Sequence, residues 1–555
     1  MPKKIFIGVA WPYVNGDIHI GHLAGYLLPA DIFARFHRYI GNDVLMASGS
    51  DCFGTPITLE AEKRGVAPEA IVEEYHKKHV ELFKKLHISF DIFTKTTTDN
   101  HIRIAQDFFL KFLEKGYIFK KTVEQYYDSK SDRFLPDRYI EGECPYCGYK
   151  EARSDQCDNC SKVLDQGELK NPKSKVTGSA LQMKESEHYF FDLAKIEPFL
   201  KSYVKSKKSE WKDWVYKETE GWLTHGLKPR AFTRDLEWGV PLPIDQIPED
   251  DRIEGIEKKR FYVWWEAVMG YYSASIEWSE RTGKDWKEFW LNDDALHAYF
   301  MGKDNLPFHT MFWPGELNVF NEKLHVPDLP VINQYLTFKG KQFSKSRGVT
   351  VDSAYIVDTY GLDTVRFYLS LVMPEYADTS FNWDDFRERH NGVLIGNLGN
   401  FINRTLVLSE NLDFGDSWEI KENIVSDVAH IVGEAKQNLA KPEFKKYVES
   451  ILELSDFGNK YLSNEKPWMV EDEEQKKEIL RNALFIIVAI LLVMKPLFID
   501  ATEKLENMLG ISFDEWSKEE ADAIKKALLN IKIKNPKPLF IKIEEESIKK
   551  ENGRD

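Results

Sequence analysis

The sequence predicts an α/β fold: a doubly wound parallel sheet, interrupted by a cysteine-containing insertion and followed by an all-α helical bundle. Three observations lead to this prediction. The apolar runs at residues 5–9 and 44–47 each pass into a turn-rich segment, as the strands of a parallel sheet do. Four cysteines lie together in the segment after Gly116, and long patterns of helical period follow Phe386.

Size and composition indicate a multidomain globular protein. The 555 residues exceed the roughly 250 to 300 at which a single core stops growing, so several domains are expected. Hydrophobic residues make up 43% of the chain and charged residues 30%, which is typical of globular rather than disordered proteins. The formal net charge of −15 argues against a general affinity for nucleic acid, but it does not exclude a local basic face.

Export and membrane signals are weak. The N-terminal apolar run is brief and ends at Pro12, unlike that of a signal peptide. The longest apolar run, residues 483–494, has 12 residues, whereas a membrane-spanning helix needs roughly 20. We therefore expect a cytoplasmic protein that does not cross a membrane, with a buried helix at residues 483–494.

The elements follow in order along the chain. A strand at residues 5–9 leads through a turn into a helix after His19, and a second strand at residues 44–47 leads into "SGSDCFGTP". Ligands of such folds bind at the carboxyl ends of the strands. After the insertion, "RFYVWWEAV" and "LHAYFMGKD" are predicted to resume the sheet as strands. The charged terminal segment "EEESIKKENGRD" is expected to fray.

Two histidines, His19 and His22, stand at the predicted start of the first helix, within "WPYVNGDIHIGHLAG". Unbonded amides and the positive end of the helix dipole favour an anion there, and imidazoles three residues apart share one helix face. Gly21 between them would let a flat group such as adenine approach the backbone. The alternative is a pair of ordinary surface histidines, and these residues alone do not decide between the two.

A basic loop, "KGKQFSKSRG", lies about 320 residues further on and contains Lys341, Lys345 and Arg347. Mobile cations in such a loop could close on the charge of a pyrophosphate. The alternative is a solvated basic loop without a ligand.

The cysteines form the pattern "CPYCGYKEARSDQCDNC", which holds Cys144, Cys147, Cys157 and Cys160 as two Cys-x-x-Cys pairs. Four thiolates at this spacing are typical of a closed, structural zinc site. Four unligated cysteines or a redox pair are the alternatives, although the βαβ context of a thioredoxin-like pair is missing. Cys52 is expected to remain a thiol.

In this order, the histidine segment and the basic loop resemble the HIGH and KMSKS signatures of class I aminoacyl-tRNA synthetases. The segments "AWPYVNGDIHIGH", "FYVWWEAVMGYY", "FMGKDNLPFHTMFWP" and "NEKPWMVE", with the cysteine cluster, narrow the resemblance to the methionyl-tRNA synthetase family. It extends from residue 4 to residue 543. The resemblance implies a Rossmann-like catalytic domain with a zinc-containing insertion and a helical anticodon-binding domain.

The resemblance also implies roles for individual residues. Catalysis would rest on His19, His22 and Lys345. ATP would be bound by Gly21, Gly302, Asp304, Ser344 and Lys345. Methionine would be bound by Ala10, Trp11, Tyr13, Asp51, Trp264, Tyr271 and His309, with Asp51 facing the ammonium group and the aromatic faces contacting sulfur. The anticodon would be read by Asn400, Arg404 and Trp468, and one structural zinc held by the four clustered cysteines.

The implied reaction is methionine–tRNA ligation. The carboxylate of L-methionine attacks the α-phosphorus of ATP, which Mg²⁺ accompanies, to give methionyl-adenylate and pyrophosphate. The terminal ribose of tRNA(Met) then displaces AMP. Since no further module follows the predicted bundle, a monomer is expected, and a separate accessory tRNA-binding protein is left open.

The implied domains are two catalytic halves (1–115 and 231–325), the zinc-containing insertion (116–230), a region with the KMSKS loop and stem contacts (326–385), the anticodon-binding domain (386–535) and a C-terminal tail (536–555).

Three residues depart from the family pattern. Gln342 and Phe343 replace the first lysine and the methionine of KMSKS, and Val268 stands where proline is common. Lys341 would supply the charge that Gln342 lacks.

Two alternative functions remain from the sequence. The isoleucyl, valyl and leucyl synthetases share both signatures but carry a large editing domain, for which an insertion at residues 116–230 is too short. A non-catalytic RNA-binding protein derived from a synthetase is the second alternative, and the presence of His19, His22 and Lys345 speaks against it.

Overall fold

The computed structural model describes residues 2–136, 139–154, 157, 159–160, 164, 167–343, 350–415, 419–516 and 520–553. Its first part contains β1 (Lys4–Val9), α1 (Ile20–His22), α2 (Leu28–Tyr39), β2 (Asp43–Ser50), α3 (Thr55–Arg64), α4 (Pro68–Lys85), β3 (Ile92–Lys95) and α5 (Asp99–Glu114). The insertion contains β4 (Ile118–Asp128), β5 (Arg133–Phe134), β6 (Ile140–Glu143), β7 (Lys170–Ser174), β8 (Gln182–Phe191), α6 (Leu193–Ser206), α7 (Asp213–Thr224) and β9 (Arg230–Ala231).

The next part contains β10 (Thr233–Asp235), β11 (Lys259–Phe261), α8 (Val263–Thr282), α9 (Lys287–Trp290), β12 (Leu296–Gly302), α10 (Trp313–Phe320), β13 (Leu329–Asn333), β14 (Leu336–Phe338), β15 (Lys341–Gln342), α11 (Ser353–Tyr360), α12 (Leu362–Leu371) and β16 (Thr379–Phe381). Helices follow to the end: α13 (Trp383–Glu388), α14 (Asn400–Ser409), α15 (Glu422–Ala440), α16 (Phe444–Glu465), α17 (Glu473–Met494), α18 (Asp500–Leu509), α19 (Glu520–Leu528) and α20 (Glu545–Asn552).

The central sheet has five parallel strands in the order β13-β12-β1-β2-β3. Ile5 of β1 lies opposite Leu296 on one side and Val44 on the other. The middle strands are buried almost throughout, because helices cover both faces of a parallel sheet. The predicted doubly wound sheet is confirmed, with the strands at residues 5–9 and 44–47 and the strand in "LHAYFMGKD" all present.

The prediction that "RFYVWWEAV" is a strand of this sheet is wrong. Of these residues, only Arg260 and Phe261 belong to a strand, β11, which pairs antiparallel with β10 in a separate two-stranded ribbon. The remaining residues begin the 20-residue helix α8, which packs on β2 and α5. The misassignment has a physical reason: a short run of apolar residues that is buried on several sides looks the same in a strand and in a buried helix.

The insertion is built on a long antiparallel ribbon in which β4 pairs with β8 over ten residue positions, from Ile118 opposite Phe191 to Tyr127 opposite Gln182. The cysteines lie beyond this ribbon, next to the short pair of β6 and β7. Cys144 and Cys157 belong to a small cluster of buried side chains that is separate from the main core, and Cys160 packs against that cluster.

The last third of the chain is a helical domain, as predicted. Helix α17 packs against α14, α15 and α16, and its residues from Ala483 to Met494 are all buried. Among the helices that the structure describes, none has both the length and the apolar character that crossing a bilayer requires.

The expectation that the C-terminal segment frays is wrong for residues 545–552. They form helix α20, in which Ile548 is buried and Glu551 accepts hydrogen bonds from Tyr355 and Tyr360. The helix therefore packs on α11 and α13 instead of extending into solvent. A single apolar residue among charges carries too weak a signal for this docking to be predicted from the sequence.

Candidate active site

A cavity of about 720 Å³ opens at the carboxyl ends of β1, β2, β12 and β13. We refer to it as the sheet-edge cavity. It is lined by every described residue that the sequence predicted for catalysis and for binding of ATP and methionine: Ala10, Trp11, Tyr13, His19, Gly21, His22, Asp51, Trp264, Tyr271, Gly302, Asp304 and His309. Ser344, Lys345 and Arg347 lie outside the described residues.

His19 and His22 cap the helix that they begin. The Nδ1 atom of His19 accepts a hydrogen bond from the amide of Gly21 at 3.1 Å, and Nδ1 of His22 accepts one from the amide of His19 at 3.2 Å. The two rings are 3.9 Å apart. Because Nδ1 is the acceptor in both neutral rings, the proton of each lies on Nε2. Each ring can therefore donate a hydrogen bond from Nε2 to an anion.

Three π-helical segments among the described residues coincide with predicted sites. Leu23–Leu27 follows the two histidines, Phe308–Phe312 contains His309, and Arg389–Gly399 leads into α14, which begins at Asn400. A π-helical turn inserts one residue into a helix and is frequently found at functional sites. It changes the direction in which the following side chains point, and no sequence pattern predicted it.

Aromatic side chains joined by hydrogen bonds form one end of the cavity. The Nε1 atom of Trp264 donates to the hydroxyl of Tyr13 at 2.9 Å, and the hydroxyl of Tyr271 is 2.8 Å from Nε2 of His309. Nδ1 of His309 donates to the carbonyl of Asn305 at 3.0 Å, so Nε2 is the acceptor. Burial lowers the pKa of His309 to about 4, which keeps the ring neutral.

Trp11 occupies a slot between two glycines. A Cβ atom built on Gly49 would lie 2.2 Å from the Trp11 ring, and one built on Gly270 would lie 2.7 Å from it. Both distances are shorter than any contact between carbon atoms, so only glycine at both positions admits the indole. β2 and α8 thus hold Trp11 against the cavity.

An acidic pair lies at the base of this aromatic end. Asp51 and Glu266 are both buried, and Glu266 Oε2 is 2.8 Å from Nε2 of His101. Among the described residues, neither Oδ1 of Asp51 nor Oε1 of Glu266 has a hydrogen-bond partner. Burial raises the pKa of both carboxyl groups, and the charge of Glu266 raises that of Asp51 further. A cationic group would satisfy these oxygens.

The sequence reasoning missed Glu266 and His101. Glu266 stands inside the quoted segment "FYVWWEAVMGYY", but a glutamate in a helix usually faces solvent. Its burial depends on contacts with α5, which lies about 160 residues earlier in the chain.

The other end of the cavity holds Gly302, Asp304 and the beginning of the basic loop. The ring of Phe343 stacks on that of His19, with 4.7 Å between centroids. On the far side of the loop, the amide of Ile20 donates to the carbonyl of Val351 at 3.2 Å. Phe343, just before the segment 344–349, therefore lies next to the histidine pair, and Val351, just after that segment, is bonded to the helix that the pair begins.

The four clustered cysteines fit a tetrahedral metal ion. The Sγ atoms of Cys144 and Cys160 are 3.8 Å apart, those of Cys147 and Cys157 are 3.6 Å apart, and all four lie within 4.8 Å of one another. Thiolates at about 2.3 Å from zinc have S···S separations of about 3.8 Å. Hydrogen bonds to the Cys147 sulfur, first from the amide of Tyr149 and then from the Asn159 side chain, lower the pKa of Cys147 to about 6, which favours the thiolate that zinc requires.

The three residues predicted to bind RNA come together on the helical domain. Asn400 begins α14, and the guanidinium carbon of Arg404 lies 4.9 Å from the ring centre of Trp468. Trp468 follows α16 in a turn and is 45% exposed. A tryptophan with this much exposure does more than fill a core.

Comparisons with known proteins agree with this geometry. The family described as "tRNA synthetases class I (M)" matches residues 5–406, and "Anticodon binding domain of methionyl tRNA ligase" matches residues 413–554. The chain belongs to the methionyl-tRNA synthetase family. The methionine–tRNA ligase of Roseiflexus castenholzii is 40% identical over 526 residues, covering 92% of this chain and 87% of that protein. That of Dehalococcoides mccartyi is 40% identical over 565 residues, covering 100% of both.

Among solved structures, the methionyl-tRNA synthetase of Mycobacterium tuberculosis in complex with methionyl-adenylate has a similar fold. The TM-score is 0.76 at 21% sequence identity, and the match covers 97% of this chain and 99% of that one. Membership of the methionyl-tRNA synthetase family confirms the prediction of a class I aminoacyl-tRNA synthetase, which is a ligase. The isoleucyl, valyl and leucyl alternatives are thereby excluded.

Proposed function

We propose how the residues of this chain carry out methionine–tRNA ligation. The sheet-edge cavity is the observation that supports the assignment best. In it, the imidazoles of His19 and His22, which can donate hydrogen bonds to phosphate, lie together with an aromatic pocket that has buried carboxyl groups. The methionine side chain would lie among Ala10, Trp11, Tyr13, Trp264, Tyr271 and His309. Its ammonium group would pair with Asp51, whose buried Oδ1 would then gain a partner.

ATP would bind at the histidine end. The ribose would contact Gly302 and Asp304, and Gly21 would leave space for adenine. The Nε2 protons of His19 and His22 would donate to phosphate oxygens, and Lys345, with Ser344, would close on the phosphates from the basic loop. The contacts of Phe343 with His19 and of Val351 with Ile20 support this placement of the loop.

The chemistry needs no covalent intermediate with the protein. A carboxylate oxygen of methionine forms a bond to the α-phosphorus of ATP as the bond to pyrophosphate breaks. The ribose hydroxyl of the tRNA terminus then attacks the carbonyl carbon, and AMP leaves. Mg²⁺ would accompany ATP and offset phosphate charge. The protein contributes positioning and hydrogen-bond donors aimed at the phosphates.

Methionine-dependent exchange of labelled pyrophosphate into ATP tests this function. The chain should catalyse exchange with methionine and far more slowly with isoleucine, valine or leucine. A well-folded preparation without exchange would instead support the synthetase-derived RNA-binding protein.

Methionine affinity should fall as the pH is lowered. The raised pKa of Asp51 means that the empty cavity holds a proton on the Asp51–Glu266 pair at a higher pH than an ordinary aspartate would. The ammonium group requires the ionised form, so methionine binding releases that proton. Calorimetric titrations between about pH 5 and 8, in buffers of different ionisation enthalpy, should detect proton release.

The control for this pH dependence is Asp51→Asn. That variant should bind methionine weakly and with little change across the same pH range. Tight binding by Asp51→Asn, or affinity of the unaltered protein that does not vary with pH, would contradict the assignment of Asp51.

One structural zinc ion would be held by Cys144, Cys147, Cys157 and Cys160, in the geometry of a closed site. The small separate core around these cysteines supports a structural role, because so few buried side chains stabilise the fold only weakly. The metal would hold the end of the insertion together and take no part in the reaction.

Cys147→Ser should lower the zinc content clearly below one ion per chain, because a hydroxyl is a poor ligand for zinc. Cys147 is exposed, so the substitution leaves no cavity in a core. Metal analysis of freshly purified protein measures the content, and Cys52→Ala, which removes the remaining thiol, should still retain one zinc. Equal zinc in Cys147→Ser and the unaltered protein would refute the site.

The anticodon of tRNA(Met) would be read by Asn400, Arg404 and Trp468. Bases of a single-stranded loop are recognised by stacking on aromatic rings and by hydrogen bonds to their edges, and these residues offer both: Trp468 and Asn400 are exposed, and Arg404 is half-buried beside the Trp468 ring. We further propose that the protein acts in the cytoplasm as a monomer, divided into the six segments predicted from the sequence. A separate accessory tRNA-binding protein remains compatible with this proposal.

A further inference from the structure

The turn that follows the two histidines has an unusual backbone for which Pro29 supplies a cause. The π-helical segment Leu23–Leu27 runs directly into α2, whose second residue is Pro29. Proline has no N–H, so it cannot donate to the carbonyl four residues earlier, as in an α-helix, or five residues earlier, as in a π-helix. Those two carbonyls belong to Gly25 and Ala24.

A buried side chain from a distant strand supplies the missing donor. Nδ2 of Asn333 lies 3.0 Å from the carbonyl oxygen of Gly25 and 3.4 Å from that of Ala24. Asn333 has 0% exposure and is the last residue of β13. The two carbonyl acceptors determine the orientation of the amide, because the opposite orientation would place its oxygen against both.

The contact joins two parts of the sheet-edge cavity. In the sheet, Asn333 lies beside Gly302, which lines the nucleotide end of the cavity, and the next two residues, Gln334 and Tyr335, line the cavity too. On the other side, Gly25 and Tyr26 of the π-helical turn also line it. His22 directly precedes this turn, so the position of the turn determines where the two imidazoles point.

We propose that Asn333 is a positioning residue for adenylate formation, which holds the Pro29-distorted turn and thereby aligns His19 and His22 with the phosphates of ATP. Its side chain faces backbone carbonyls, so it acts through the histidines and contacts no substrate. The inference rests on the proposed function of the sheet-edge cavity.

The first part of the test separates rate from binding. Asn333→Ala should lower kcat for methionine-dependent pyrophosphate exchange by about 10- to 100-fold, because misplacing reacting groups by about 1 Å costs rates of this order. The methionine dissociation constant, followed by the fluorescence of Trp11 and Trp264, should stay within about twofold. Asn333→Asp should be at least as slow, since its carboxylate would repel both carbonyl oxygens.

The second part uses Pro29→Ala, which restores an N–H four residues after Gly25. In the Pro29→Ala background, Asn333→Ala should lose less than about threefold in kcat, because the turn no longer depends on the amide of Asn333. The test compares the fold loss in kcat that Asn333→Ala causes in the unaltered protein with the fold loss that it causes in the Pro29→Ala background. The rate of the Pro29→Ala variant itself does not enter this comparison. Asn482→Ala removes an equally buried asparagine from α17, and should lower Tm while leaving exchange within about twofold.

Three results would overturn the proposal: exchange at the unaltered rate in Asn333→Ala, the same loss in both backgrounds, or a loss of rate that only parallels falling methionine affinity and Tm. Failure of the proposed function would give a different result from failure of the proposal for Asn333. If the unaltered protein showed no methionine-dependent exchange, that result would count against the assignment of the cavity itself and not only against Asn333.

Discussion

Lys345→Ala should slow adenylate formation by about 100- to 1000-fold, the loss expected when one preorganised donor to a developing charge is removed. Methionine affinity should change little, because the ammonium group of this lysine meets pyrophosphate charge mainly in the transition state. Lys345 lies outside the described residues. Before it in the chain, Phe343 stacks on His19, and after it the carbonyl of Val351 accepts a hydrogen bond from the amide of Ile20. Pyrophosphate exchange and methionine titration on one preparation measure both quantities.

Lys339→Ala is a matched control for this experiment. It removes the same charge from the turn between β14 and β15, where the Lys339 ammonium group lies 5.4 Å from the ring centre of Phe338. A lysine held there has no part in the proposed phosphate contacts, so exchange should stay within about threefold of the unaltered rate. Unaltered exchange in Lys345→Ala would contradict the role of that lysine. Equal slowing in both variants would indicate a general effect of charge.

Trp468→Ala should leave methionine activation intact and weaken the binding of tRNA(Met). One lost base stack costs about 1 to 3 kcal/mol, which corresponds to a fivefold to more than hundredfold loss of affinity. The two half-reactions separate because Trp468 is on the helical domain and lines no part of the sheet-edge cavity. Pyrophosphate exchange, aminoacylation and tRNA binding should be measured on the same preparation, together with its melting curve.

The conservative variant Trp468→Phe should retain most of the tRNA affinity, because a phenyl ring still offers a face for stacking. Asn400→Ala and Arg404→Ala should weaken charging through lost contacts to base edges or phosphate. Since Trp468 is 45% exposed, its loss should hardly change Tm. Full charging by Trp468→Ala, or equal loss of both half-reactions, would contradict the anticodon assignment.

Features determined by the sequence alone depend on local chemistry. The buried strands β1, β2 and β12 follow from apolar runs bounded by turns, and the spacing of Cys144, Cys147, Cys157 and Cys160 determines that short loops can bring four thiolates together. The long helical periods after Phe386 likewise predicted the bundle. In each case the residues that decide the structure are neighbours along the chain.

Features decided only by the tertiary structure depend on contacts between segments far apart in the chain. The burial of α20 depends on Tyr355 and Tyr360, and that of Glu266 on His101. The carbonyl of Gly25 receives its donor from Asn333, more than 300 residues away. Local periodicity contains no information about which distant side chain will fill a buried space or bond an unpaired carbonyl, because that depends on how the elements pack.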